Sequence, residues 1–223
     1  MSQQTVINDP NAVVRDVRGF HGVSVSNAID VYLSAGSQET VAVSAADVKW
    51  RDRIHTEVKD GILHIWLDHE NWFSWGEKNR KMRVYVSFIS LDKVAGSGAT
   101  NIYVDGVIEC SNLEISLAGA SDFKGAIKTG TLQLNLSGAS DARIVGTVNG
   151  VTTVRSAGAS DLKGYDLVTD TCVAHASGAS DIRITVNKEL NVHASGASGV
   201  YYKGGAVIRE LHSSGASNVS KKS

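Results

Sequence analysis

Ser137-Gly138-Ala139-Ser140-Asp141 is one of four near-identical phrases; the others are Ala118-Gly119-Ala120-Ser121-Asp122, Ala157-Gly158-Ala159-Ser160-Asp161 and Ser177-Gly178-Ala179-Ser180-Asp181. Looser copies stand at Ser97-Gly98-Ala99-Thr100, Ser195-Gly196-Ala197-Ser198 and Ser214-Gly215-Ala216-Ser217. The central glycines are 21, 19, 20, 20, 18 and 19 residues apart. A period near twenty marks a repeat architecture.

Aligning the copies on glycine exposes the local structure. Six residues before it stand Asp92, Leu113, Leu132, Thr152, Cys172, Leu190 and Arg209. Four before stand Val94, Ile115, Leu134, Val154, Ala174, Val192 and Leu211; two before stand Gly96, Leu117, Leu136, Ser156, Ala176, Ala194 and Ser213. Mostly polar residues lie between them. This period of two describes a strand with one buried face. Four residues after the glycine the chain is apolar again, from Ile102 and Phe123 to Val219. The glycine therefore sits at a bend between strand segments. The alanine after it, present in every copy, implies a corner with no room for more.

A twenty-residue unit with little helical pattern cannot bury its own core. It stacks on its neighbours, coil on coil at roughly 4.8 Å. The expected fold is all-β, a right-handed parallel β-helix of about seven coils. The hand follows from the crossover rule for parallel strands. The drifting period disfavours a left-handed helix of strict six-residue repeats.

Three segments follow: a polar tail over 1–12, a strand-rich portion over 13–91 and the repeats over 92–223. Within 13–91 the glycine phrase is absent but alternation persists, as in Ile29/Val31/Leu33. Asp60-Gly61 between two apolar runs signals a hairpin. Residues 45–53 read as a short helical turn. This portion is expected to cover the first coil, since an open β-helix end is an exposed sheet edge.

Composition narrows the function classes. The 223 residues include 22 glycines and one proline, as tight corners and unbroken ladders require. A net charge of −1 leaves no nucleic-acid footprint. No run of eighteen apolar residues predicts a membrane span, and the polar start shows no signal peptide. Cys110 and Cys172 belong to coils three apart, about 14 Å at the strand spacing and too far for a disulfide. Both are expected to be free thiols, with Cys172 in the core.

The chain resembles a bacterial family known as "putative auto-transporter adhesin, head domain", common in Bacteroidetes. The residues that carry the resemblance are Val17-Arg-Gly-Phe-His-Gly-Val-Ser-Val-Ser-Asn-Ala-Ile-Asp-Val-Tyr-Leu33, Ile54-His-Thr-Glu-Val-Lys-Asp-Gly-Ile-Leu63 and the Ser-Gly-Ala-Ser-Asp repeats. It covers nearly the whole chain. It implies a β-helical fold and an exported protein of the periplasm, outer membrane or cell surface. It supplies no catalytic motif.

Four groups of residues invite a chemical reading. The repeated serines look like nucleophiles, but a catalytic serine is singular; a serine ladder at the corner is the expectation. Asp122, Asp141, Asp161 and Asp181 form a second column, with Lys124, Arg143, Lys163 and Arg183 two residues further on. Stacked like charges repel, so the columns are expected to compensate each other; calcium is the sharper alternative. His175, His193 and His212 share an outward column with Glu210 beside them. Ring stacking is the expectation, with no metal, although two imidazoles and a carboxylate could hold a divalent ion. Finally, Trp72, Phe73 and Trp75 crowd a charged loop over 68–81; the rings either fold back onto the domain or form an exposed aromatic platform, and in the second reading they are the candidate ligand contacts.

The expected function is a non-enzymatic, adhesin-like protein without a cofactor, binding a glycan or another cell-surface component. The alternatives are a polysaccharide-processing β-helix enzyme and a structural or lipid-binding envelope module. The oligomeric state is not legible.

Overall fold

The structure is a computed structural model and describes residues 9–68 and 81–223. Its strands are β1 (Val13–Arg15), β2 (Gly22–Val25), β3 (Asp30–Ala35), β4 (Thr40–Ser44), β5 (Ile54–Lys59), β6 (Ile62–Leu67), β7 (Arg83–Phe88) and β8 (Lys93–Gly96). Then come β9 (Asn101–Leu117), β10 (Asp122–Leu136), β11 (Asp141–Ser156), β12 (Asp161–Ala176), β13 (Asp181–Ala194), β14 (Gly199–Lys203), β15 (Val207–Ser213) and β16 (Asn218–Lys221). One short helix, α1 (Val48–Arg51), follows β4. Among the described residues no helix is long and apolar enough to cross a membrane.

The glycine phrases are the corners of a parallel β-helix of about six turns. Seven corners bound six complete turns. At each corner the glycine has φ between +71° and +84°, where a side chain is strained. The stacking adds a second reason. A Cβ on Gly119, Gly138 or Gly158 would lie 2.5 Å from the carbonyl oxygen of the glycine one coil earlier. The following alanines are exposed, which corrects the expectation of a crowded alanine: the tight contact belongs to the glycine. The next residue is the buried one. Thr100, Ser121, Ser140, Ser160, Ser180 and Ser198 are at most 2% exposed. In most copies its hydroxyl donates to the carbonyl three residues back, as in Ser121 to Ala118 at 2.8 Å and Ser160 to Ala157 at 2.9 Å. The buried hydroxyl is thereby satisfied and the turn is closed.

Between corners each long strand lies in register on the next. Asp122, Asp141, Asp161 and Asp181 align, as do Leu134, Val154, Ala174 and Val192. The inward columns from Leu113 to Ala194 are at most 4% exposed, and each buried leucine contributes about 1.5–3 kcal/mol of hydrophobic stabilisation. Thr152, in one of these columns, donates to Thr169 Oγ1 at 3.0 Å. Bulges absorb the drifting period. One lies between Leu190 and Asn191, which pair with Ile208 and Glu210. Ile208 thus takes the inward place expected for Arg209, which is exposed and bonds Glu189 at 3.0 Å. At the other end, Asp92 is exposed and Leu91 is buried in its stead. Both cysteines are free; Cys172 is fully buried, and burial pushes its thiol up to about 12.

The N-terminal portion extends the solenoid out of chain order. β2 lies between β6 and β8, all parallel, and β3 lies between β7 and β9. Outside this rung the pairing turns antiparallel, β4 on β7 and β1 on β4, and covers the end. β5 and β6 form the expected hairpin, with both Asp60 and Gly61 at positive φ. The corner between β2 and β3 is Ser26-Asn27-Ala28-Ile29, and it stands in register with Ser97-Gly98-Ala99-Thr100, since Val25 pairs Gly96 and Asp30 pairs Asn101. The phrase is therefore not absent before residue 91. It is present with asparagine in the glycine position, at φ 69°, a conformation asparagine tolerates better than most residues.

Candidate ligand-binding face

One outward column runs along the solenoid; from Tyr103 to Tyr201 it stands five residues after the corner glycine. In spatial order it reads Tyr85, Tyr32, Tyr103, Lys124, Arg143, Lys163, Arg183 and Tyr201. The rung spacing brings the first three rings into a stack. Tyr85 and Tyr32 are 5.4 Å apart between centroids, and Tyr32 and Tyr103 are 5.2 Å apart. Tyr103 is the most exposed of the three, at 36%. Burial, and then the Asp30 carboxylate, hold its hydroxyl above the ordinary phenol range. Tyr85 is anchored instead, donating to Asp9 Oδ2 at 3.0 Å.

The cations further along differ in their partners. Lys163 pairs with Asp141, one coil back. Arg183 spans Asp161 at 3.5 Å and Asp181 at 2.6 Å, and its guanidinium lies 5.5 Å from the Tyr201 ring centre. These charges neutralise one another within the ladder. Among the described residues Lys124 and Arg143 have no side-chain partner. They line a depression of about 400 Å³ with Tyr32, Tyr103, Asp105 and Val145. A bulge shapes it: Tyr103 pairs Lys124 and Val107 pairs Ala126, so β9 carries two extra residues there. Gly125 lets the bulge approach, for a Cβ there would meet Val104 at 2.7 Å.

The histidines form a second outward stack. Ring centroids are 4.9 Å apart for His175 and His193, and 4.8 Å for His193 and His212. Burial, then His193 and Arg155, hold His175 below the usual imidazole range. Glu210 Oε1 lies 2.8 Å from His212 Nε2 and 3.8 Å from His193 Nε2.

Trp72, Phe73 and Trp75 lie outside the described residues. The tyrosine column was not read from the sequence. Its signal was present, since Tyr103 and Tyr201 bracket the four cations in one aligned column. The other two rings come from β3 and β7, which carry no glycine phrase.

Solved structures share this fold. A "putative adhesin" from Bacteroides fragilis superposes with a TM-score of 0.81 at 16% identity, covering 96% of this chain and 98% of that one. A "putative adhesin" from Parabacteroides distasonis gives 0.68 at 14% identity, over 95% of this chain and 96% of that one. A "putative lipid binding protein" from the same species gives 0.64 at 17% identity, over 95% and 98%. No curated protein matches the chain. Residues 19–206 match the family model described as "Putative auto-transporter adhesin, head GIN domain", and the chain belongs to that family.

Proposed function

We propose that this protein is an exported, non-enzymatic, adhesin-like protein of the cell envelope or surface that binds an acidic glycan. The binding face is the depression at Tyr32, Tyr103, Lys124 and Arg143. The observation that carries this reading is the pair of unpartnered cations beside an exposed, stacked tyrosine. Aromatic rings offer an apolar face to the C–H surface of a sugar. An unpaired guanidinium and ammonium take carboxylate or sulfate groups, the guanidinium in a bidentate fork. The rungs advance by about 4.8 Å, close to the length of one sugar unit, so a chain laid along the axis meets a new rung with each residue. The family description and the adhesin-like neighbours support a surface role.

A non-catalytic role is supported by the state of the nucleophile candidates. The serines two residues after the glycine, from Ser121 to Ser180, are buried and engaged in their own turns. Burial raises both thiols.

The test is an array of neutral, uronate-containing and sulfated glycans, probed with wild type, Lys124→Ala/Arg143→Ala and Tyr103→Ala. Binding to acidic glycans is expected to fall roughly tenfold or more in the double variant, as when charge-assisted bonds are removed, and to weaken with salt. Equal binding by the variants rejects the face. New chain ends in the bound glycan reject the non-enzymatic reading.

A further inference from the structure

We propose a second, separate site: His193, His212 and Glu210 hold a divalent transition metal ion of the zinc class on the outer face of the last two coils. The three residues come from adjacent rungs. His193 on β13 stands in register with His212 on β15, and Glu210 precedes His212 by two residues, on the same face. Their ligand atoms all lie within 4.8 Å of one another. Glu210 Oε1 is the common point, 2.8 Å from one Nε2 and 3.8 Å from the other. Bonds of roughly 2.0–2.1 Å at the tetrahedral angle place ligand atoms about 3.4 Å apart. The two carboxylate distances straddle that value. The wider separations close by rotation of side chains that are 38%, 65% and 51% exposed for His193, His212 and Glu210.

The surroundings favour an ion. Two neutral imidazoles and one carboxylate leave a tetrahedral ion one open position for water. An open depression lies over the rings, walled by Ser195 and Ser214. Asn191 pairs in register with Glu210, and its side-chain oxygen is buried with no hydrogen-bond donor among the described residues. His175 stacks on His193 from the other side and stiffens its ring. Arg209, the nearest guanidinium in sequence, is held by Glu189 rather than by Glu210. Imidazole nitrogen selects zinc, copper or nickel over calcium or magnesium.

Calorimetric titration of the full chain with Zn²⁺ tests the site, with Co²⁺ absorption as a second readout. One ion per chain is expected, with the ring signals of His193 and His212 shifting in the NMR spectrum. His193→Ala, His212→Ala and Glu210→Gln are each expected to weaken binding by roughly tenfold or more. His175→Ala is expected to change it by less than any of these. All four side chains face outward, and unfolding curves check that the variants fold. The proposal is overturned if wild type takes up no Zn²⁺, if the three variants bind as wild type does, or if Ca²⁺ competes on equal terms.

Discussion

The regular coils and the N-terminal rungs use the same corner under different constraints. From Gly119 onward each corner rests on another glycine, and a Cβ would strike backbone at 2.5–2.8 Å. Gly98 rests on Asn27 instead, where the nearest contact is 3.2 Å, to the Asn27 nitrogen. The corner of Asn27 and Ala28 holds two side-chain residues at φ 69° and 57°. Glycine is therefore demanded by the copy beneath, not only by the bend. A corner stacked on a glycine copy is less tolerant than one stacked on Asn27, because the glycine backbone beneath encloses it; this holds even at the last corner, where a Cβ on Gly215 would lie 2.8 Å from Gly196 oxygen.

The largest expected effect tests that enclosure. Gly138→Ala puts a methyl group against Gly119 oxygen at φ +78°. Left-handed backbone costs alanine about 1–2 kcal/mol, and the overlap forces the rungs apart besides. Destabilisation of about 3 kcal/mol or more is expected, in the severe class of single substitutions. Gly98→Ala should cost distinctly less. Chemical denaturation of both variants decides: equal losses would show that the bend alone demands glycine.

The outcome bears on what the sequence made legible. Seven glycines at one period revealed the coil, the inward columns and the positions of the aspartate, cation and histidine ladders. Parallel register made those columns true neighbours, so His175, His193 and His212 could be aligned before their rings were seen to stack. The N-terminal order was not legible. β2 is inserted between β6 and β8, and short alternating strands without a period do not say which neighbour they choose. Asn27 hid the extra corner because the alignment was anchored on glycine. The bulge that puts Ile208 inside and Arg209 outside shifts a register by one residue, which a fixed column cannot follow. The partners of the cations were hidden for another reason. Each ammonium or guanidinium can reach a carboxylate on its own rung or the one before, and only coordinates show that Lys163 and Arg183 do so while Lys124 and Arg143 do not.

An intermediate effect reads the contribution of the N-terminal rungs by pH. Burial, then the bond to Asp9, holds the Tyr85 hydroxyl above its ordinary value, and burial with Asp30 does the same for Tyr103. Tyr85 belongs to the N-terminal rungs and Tyr103 to the first glycine-cornered coil that stacks on them. The unfolded chain loses these protons first, near pH 10. The native state then binds more protons than the unfolded one, so stability is full below that pH and falls as pH rises through the native values. Wild type is expected to lose more stability between neutral and strongly alkaline pH than Tyr85→Phe does. Parallel urea midpoints for the two proteins across that range would refute the assignment.

The smallest expected effect concerns the corner that departs from the rule. Asn27→Gly relieves a side chain held in the left-handed region, which favours the variant. It also frees the unfolded chain, which opposes it. The asparagine side chain donates to Leu67 oxygen at 3.4 Å, a long bond whose loss matters little. These terms nearly cancel, and a net change within about 0.5 kcal/mol is expected, the range of a substitution that breaks no packed contact. Asn27→Ala raises the backbone cost, because alanine tolerates positive φ less well than asparagine, and loses the bond as well, so it should fall about 1 kcal/mol or more below wild type. The order of the two variants carries the argument. If glycine at position 27 is the more damaging, the asparagine amide rather than its tolerance of positive φ holds the corner, and the β2–β3 turn is a different motif from the glycine corners it stacks beneath.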